Sequence, residues 1–234
     1  MLLVRLPGVY RPQADTALLV RELRRSTIAV GARVLEVGTG TGAVAVAAAR
    51  GGARQVVAVD VSARAVLAAR LNALARGLSI QVRRGDLFTP VTGEVFDVIV
   101  ANPPYVVGEV DPASLRGRAR AWEGGVDGRW LLDRICAAAP QYLARRGTLL
   151  VMQSSLCGVT RTLEALEAAG LRASVAARAH EPFGPVMLAR AGALEAQGLL
   201  RAGQRHEELA VIRADRPDDH EPPVPGSGTE QRAA

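Results

Sequence analysis

Val34-Leu35-Glu36-Val37-Gly38-Thr39-Gly40-Thr41-Gly42 carries an apolar run straight into a glycine-rich turn, and Ala43 to Arg50 then reads as an alanine-rich helix. A buried strand that enters a helix through glycines is the opening unit of an open α/β sheet. Glycine permits φ > 0 and lets a ligand approach the main chain with no Cβ in the way. Gly38, Gly40 and Ala43 fit the G-x-G-x-x-A dinucleotide fingerprint, with Asp60 some 20 residues on as the ribose acid. NAD and S-adenosylmethionine share this adenosine geometry, and the turn alone does not choose between them. Glu36, inside the strand, leans toward the methyl donor, because a carboxylate there can face the donor's cationic amino-acid end.

Two more acids stand at strand ends. Val56 to Val59 read as a second strand, closed by Asp60, whose carboxylate can accept both ribose hydroxyls. Asp86, in Gly85-Asp86-Leu87, ends a strand read from Ser79 to Arg83 and is placed to reach an adenine. A fourth strand, 95–101, ends in Val98-Ile99-Val100-Ala101 and runs into Asn102-Pro103-Pro104-Tyr105. The two prolines fix φ and remove two backbone donors, leaving a stiff turn that presents carbonyl oxygens. With the Asn102 side-chain oxygen and the Tyr105 ring, that turn suits a planar NH₂ group: two acceptors take its hydrogens while a ring covers its plane. Each acid alone is an ordinary strand cap; three in succession followed by this turn form a specific combination.

Glu36 to Gly42, Asp60, Asp86-Leu87 and Asn102-Pro-Pro-Tyr105 together resemble the S-adenosylmethionine-dependent methyltransferases of the HemK/PrmC type, which methylate the glutamine of the Gly-Gly-Gln loop in translation release factors. Val9-Tyr10-Arg11-Pro12 with Asp15-Thr16 is similar to the opening of that family's short branch, which lacks the N-terminal helical domain of the bacterial enzymes. Gly124 to Arg129 and Glu207 to Ile212 also look like family segments, so the resemblance covers roughly residues 8 to 214. It implies a Rossmann-like class I methyltransferase fold: α/β, with a seven-stranded, mostly parallel sheet whose last strand, 207–213, is antiparallel. It implies S-adenosyl-L-methionine held by Thr16, Glu36, Gly38, Gly40, Gly42, Asp60, Asp86, Leu87 and Asn102. It implies an acceptor bound by Asn102, Pro103, Pro104 and Tyr105, with Asn102, Pro103 and Tyr105 catalytic.

Composition fits a single cytoplasmic enzyme. With 234 residues, 49% of them hydrophobic, the chain can bury a full core, and aromatics at 3% leave that core to Ala, Val and Leu. So few rings also leave little for stacking along single-stranded nucleic acid. Cys136 and Cys157 stand apart with no clustered His, so buried thiols are expected rather than a disulfide framework or a metal site. No apolar run reaches the ~18 residues of a membrane span, and Arg5 comes too early for a signal peptide. All 29 basic residues are Arg, the net charge is +6, and Arg116, Arg118 and Arg120 lie just after the proline turn, the best place for contact with RNA or an RNA-bound factor.

Helices are expected at 43–50, 62–76, Trp130–Leu143 and Thr160–Ala169, with Ser62 as an N-cap. Further strands are expected at 147–152, 171–177 and 207–213, and 181–206 is left to a short helix and a loop. The methyltransferase domain is taken as 1–214 and the polar, Pro- and Gly-rich 215–234 as a disordered tail. His180, His206 and His220 are remote from the turn, consistent with a transfer that needs no general base. The same NH₂ geometry also fits an exocyclic base amine, adenine N6 or guanine N2, in RNA or DNA. A third reading is a donor- or partner-binding module without turnover. Short-branch relatives work with a small zinc-binding activator that extends an edge strand. Here strand 79–83, which that fold puts on the edge, ends in Arg83-Arg84, so no obligate activator is expected.

Overall fold

The computed structural model describes residues 3–26, 28–108 and 119–218, with Arg120 described for its backbone alone. Its centre is a seven-stranded sheet built from β-branched and alanine-rich runs too apolar to stand at a surface. In chain order the elements are α1 (Ala14–Arg25), β1 (Arg33–Val37), α2 (Ala43–Arg50), β2 (Gln55–Asp60), α3 (Ala63–Leu74), β3 (Gln81–Arg84) and β4 (Phe96–Ala101). There follow β5 (Val106–Val107), β6 (Glu123–Gly125), α4 (Trp130–Tyr142), β7 (Leu143–Ser154), α5 (Val159–Ala168), β8 (Arg172–Pro182), α6 (Pro185–Ala196) and β9 (His206–Asp215). The order across the large sheet is β3-β2-β1-β4-β7-β9-β8. Neighbours are parallel from β3 to β7, while β9 runs antiparallel to both β7 and β8. The expected mostly parallel sheet with an antiparallel last strand is therefore present.

Alternation along each strand divides two cores. Leu35, Val37, Ile99, Ala101, Leu149 and Val151 face α4 and α5, whereas Val34, Val98, Val100, Leu150 and Met152 face α1, α2 and α3. Cys136 and Cys157 are buried free thiols, as expected, and burial pushes both up to about 12. A third, smaller core joins Val107 to Phe183 and to Met187 and Ala191 of α6. There Arg190 meets the buried Glu123 through two hydrogen bonds of 2.8 Å, tying α6 to the β5–β6 ribbon.

Several boundaries differ from the sequence reading. β3 begins at Gln81 rather than Ser79, and α3 ends at Leu74. β7 and β8 are longer than expected, because antiparallel pairing with β9 continues the ladder past the apolar runs, out to Ser154 and Pro182. Residues 181–206 hold a full twelve-residue helix, α6, and α1 was not anticipated at all. The boundary at 214 also moves: β9 includes Asp215, Arg216 donates to the carbonyls of Pro140 and Leu143, and Asp218 pairs with Arg145 and Arg146. The expected tail from 219 onward lies outside the described residues, as do Arg116, Arg118 and His220.

The segment after β6 grips the proline turn. Gly128 has φ +72°, and a Cβ there would stand 2.5 Å from the Tyr105 carbonyl oxygen and 2.6 Å from Cys157 Sγ. Arg129, 2% exposed, holds the same corner by donating to the Cys157 carbonyl at 2.6 Å and to Thr162 Oγ1 at 2.9 Å. Gly128→Ala is expected to cost about 2–4 kcal/mol in urea unfolding, from left-handed strain plus overpacking. Gly192→Ala, at an exposed α6 position with open space around it, should instead stabilise by about 1 kcal/mol.

Candidate active site

The strand order reverses between β1 and β4, and ligands of such sheets bind beyond the carboxyl ends of strands at this switch point. Both sequence motifs stand there. Val37 pairs with Ala101, so the glycine turn and Asn102-Pro103-Pro104-Tyr105 leave adjacent strands side by side. In the turn, Gly38 has φ +75° and Gly40 φ +55°, and no atom lies within 4 Å of a Cβ built on either. The left-handed backbone requires glycine, and the open space above is what a nucleoside needs.

Glu36 supports this loop from below. Its Oε2 accepts from Thr39 Oγ1 at 2.5 Å and from the Ala45 amide at 2.9 Å, so it joins the turn to the first turn of α2. Burial pushes its carboxyl up to about 7, against the pull of those hydrogen bonds, with Asp60 adding a smaller upward push. Asp60 closes β2, with one oxygen accepting from Gly40 N at 2.9 Å and the other from Ser62 N at 2.8 Å. Its carboxylate thus stands at the strand end, held against the glycine turn on one side and the start of α3 on the other. Gly42 begins α2 with φ +79°, packed against Ala69.

Asp86 stands otherwise than expected. Its carboxylate is 2.5 Å from Arg134 Nη2 on α4, with both side chains 41% exposed. A pair so wet is worth only about 0–1 kcal/mol, so a ligand group can displace it. The next residue, Leu87, has φ +46°, a left-handed conformation that costs a branched side chain of this kind about 1–3 kcal/mol. Strain of that sort concentrates at ligand clamps.

The proline turn is held by a residue that the sequence reading quoted without giving it a role. Asp15, in the first turn of α1 and 4% exposed, accepts on Oδ2 from Tyr10 at 2.8 Å, Asn102 Nδ2 at 3.0 Å and Tyr105 at 3.2 Å. Its Oδ1 accepts from Thr16 N at 2.5 Å and Thr16 Oγ1 at 3.2 Å. Burial and the Asp15 charge together push both tyrosine hydroxyls well up, so they serve as donors. The signal was in the sequence: Asp15 precedes Thr16 within the quoted opening, but its partners lie 87 and 90 residues away. Asn102 Oδ1 is buried with no hydrogen-bond partner among the described residues, and so is Thr41 Oγ1 in the glycine turn. Glu207 at the start of β9 adds a half-buried acid whose carboxyl is raised by burial.

Thr16, Glu36, Gly38, Gly40, Gly42, Asp60, Asn102 and Tyr105 thus converge on one edge, with Pro103 and Pro104 between the last two. Asp86 and Leu87 follow the outer strand β3 on the same edge. Of the arginine patch only the Arg120 backbone is described, in a single 3-10 turn. His180, near the end of β8, and His206, which begins β9, are both exposed. Among the described residues there is no cluster of metal-ligating side chains, and no helix is long and apolar enough to cross a membrane.

Comparison with known proteins agrees with this geometry. The model of the methyltransferase small domain matches residues 1–117. A Methanocaldococcus jannaschii protein provisionally named protein N5-glutamine methyltransferase is 38% identical over 79% of this chain and 92% of its own length. A Geobacter sulfurreducens release factor glutamine methyltransferase is 39% identical over 62% of this chain, and the match spans only 53% of that longer protein. Among solved structures, the E. cuniculi Mtq2–Trm112 complex, responsible for methylation of the eRF1 translation termination factor, superposes with a TM-score of 0.62 at 24% identity, over 89% of this chain and 99% of that one.

Glu36 supplies a pH test. Its unfolded carboxyl titrates near 4.5 and its folded one at about 7, so the folded state binds the extra proton between those values. The stability it contributes is therefore present below pH 4.5 and is lost as pH rises toward 7. Glu36→Gln should flatten the fall in melting temperature across that window, measured by calorimetry without ligand. An unchanged slope would show that Glu36 is ionised throughout.

Proposed function

The chain belongs to the methyltransferase small domain family, and from that premise we propose that it is an S-adenosylmethionine-dependent N-methyltransferase acting on the glutamine of a release factor's Gly-Gly-Gln loop. The observation that carries the reading is Asn102 Oδ1: a buried acceptor with no partner among the described residues, beside the strand switch point. An acceptor in that state calls for a donor from outside the chain, because leaving it unmet costs about 1–3 kcal/mol.

The donor site fits the methyl donor. Gly38 and Gly40 leave room for it, Asp60 ends β2 beside the glycine turn as the acid to meet the ribose, and Glu36 and Asp15 are buried acids nearby. When bound, S-adenosylmethionine supplies an electrophilic methyl on a sulfonium. The chain's own work is on the acceptor. A carboxamide nitrogen is a poor nucleophile because its lone pair is delocalised into the carbonyl. Asn102 Oδ1 and the Pro103 carbonyl accept its two hydrogens and hold the nitrogen with its lone pair toward the methyl. Such positioning contributes ~7–11 kcal/mol in well-oriented reactions. The same oxygens meet positive charge as it develops on nitrogen. Tyr105, fixed by Asp15, lines the pocket, and no base is required before transfer. Thr16, Gly42, Asp86 and Leu87 complete the donor's surroundings, with Asp86 exchanging Arg134 for the ligand.

We place the chain in the cytoplasm, where its substrate works, and take Arg116, Arg118 and Arg120 as its contact with RNA near the factor. That contact should appear as a steeper salt dependence of methylation on ribosome-bound factor than on free factor. Incubation with labelled donor and either release factor, ribosomal RNA or DNA decides the acceptor. Label on the release factor glutamine is the expected result, and label only on a nucleic acid would overturn the reading.

Asp60→Ala should weaken S-adenosylmethionine by ~2–3 kcal/mol in titration calorimetry. Asn102→Ala should leave donor affinity near wild type and lower kcat at least ~100-fold. Wild-type turnover in Asn102→Ala would remove that residue from the chemistry.

The chain should also act without an obligate activator. The edge strand β3 carries Arg83, paired with Glu94, and Arg84, charges that discourage strand addition. The adjoining α3, in contrast, exposes Leu67, Leu71 and Leu74 at helical spacing. Light scattering and activity of the chain expressed alone weigh these features against each other. Monodisperse, active protein is expected; aggregation cured by a small zinc protein would reverse the conclusion.

A further inference from the structure

The amide of Asn102 is not free to choose its orientation. Its nitrogen donates to Asp15 Oδ2 at 3.0 Å and to Thr16 Oγ1 at 3.4 Å, and an amide nitrogen has only two hydrogens to give. Both point away from the position where Oδ1 stands buried and unpartnered among the described residues. Asp15 enforces this arrangement because every described group around it donates: two tyrosine hydroxyls, the Thr16 amide and the Thr16 hydroxyl. Reversing the Asn102 amide would set its oxygen against Asp15 Oδ2 and leave two buried acceptors facing each other with no hydrogen between them.

We infer that Asp15 is a positioning and specificity-determining residue: by fixing the Asn102 amide it makes the acceptor pocket accept-only, and so selects a glutamine side chain over a glutamate. The inference rests on the functional reading above and deepens it. A carboxamide presents two N–H donors to Asn102 Oδ1 and the proline turn. A carboxylate of the same shape presents only oxygens and meets oxygen. Sites built around a required hydrogen bond reject the analogue that cannot make it far more strongly than apolar pockets reject a change of size.

An asparagine in place of Asp15 reverses this logic. It keeps the shape and still accepts from the Thr16 amide through its oxygen, but it turns an NH₂ toward Asn102. The Asn102 amide then lowers its energy by rotating its oxygen to meet that substituted side chain's NH₂ and offering its own NH₂ to the pocket. Two peptides serve as probes, one containing Gly-Gly-Gln and one Gly-Gly-Glu, the latter read as a competitive inhibitor. In the wild type, inhibition by the glutamate peptide should be at least ~100-fold weaker than binding of the glutamine peptide. In Asp15→Asn, kcat on the glutamine peptide should fall at least ~10-fold and the preference should narrow by ~10-fold or more. A general loss of structure would not move the ratio of two peptides.

An unchanged ratio in folded Asp15→Asn, with the wild type methylating glutamine, would overturn the inference and leave the function standing. Failure of the wild type to methylate the glutamine peptide would instead overturn the function. Should Asp15→Asn not fold, the wild-type Asn102 side-chain NH₂ resonances decide: both protons resist exchange with solvent if Asp15 and Thr16 hold them. Free exchange sinks the inference.

Discussion

The parallel pairing of β1 with β4 is the constraint from which the site follows. Val37 and Ala101 are partners in register, and both are essentially excluded from solvent, so neither strand end can shift without breaking the ladder. The chain leaves β1 for α2 on one face of the sheet and leaves β4 for the loops that lead to α4 on the other. Between two connections that part in opposite directions a crevice remains. The glycine turn floors one side of it and the proline turn the other, both borne on buried central strands. Precision of this kind is what an amide acceptor needs, because positioning supplies most of the catalysis open to it.

Charge inside that crevice is unbalanced. Glu36 and Asp15 are both 4% exposed, and among the described residues neither has a salt bridge to a basic side chain. Glu36 meets the difficulty by holding its proton up to about 7. Asp15 meets it with five hydrogen bonds. A buried carboxylate that lacks a cation is costly, so any cationic ligand that entered beside Glu36 would favour its ionised form, and the ionised form would favour that ligand.

The donor half of the site was legible in the sequence because its signals are local. Glycines that must adopt φ > 0, an acid at the end of β2 and an apolar run before each turn are all short-range patterns, and the structure places them where those patterns indicate. The acceptor half was legible only in part. Asn102 and Tyr105 were marked by the prolines between them, yet the residue that orients both sits in α1, a helix read merely as an opening motif. Nothing near Asp15 in sequence distinguishes it from an ordinary first-turn acid favoured by the helix dipole. The long reach of β8 and β9 escaped for a similar reason, since pairing with a distant strand extends a ladder beyond its apolar run. Asp86 follows β3, near the strand end where it was read, but its pairing with Arg134 depends on a helix 48 residues away.

The segment before the sheet joins these two halves. Asn72 on α3, wholly buried, donates to the carbonyl of Thr41 in the glycine turn and to that of Val4, while its own oxygen accepts from Val4 N. Six residues on from Val4, Tyr10 donates to Asp15, which holds Asn102. A continuous run of bonds therefore leads from the glycine turn, through residues 4–10, to the Asn102 amide. Asn72 and Asp15 are buried and Tyr10 is half-buried, whereas Val4, tied by its backbone alone, is exposed. The two turns on the sheet would by themselves leave the Asn102 amide free to rotate; it is the residues ahead of β1, through Tyr10, Asp15 and Thr16, that fix which way its oxygen faces.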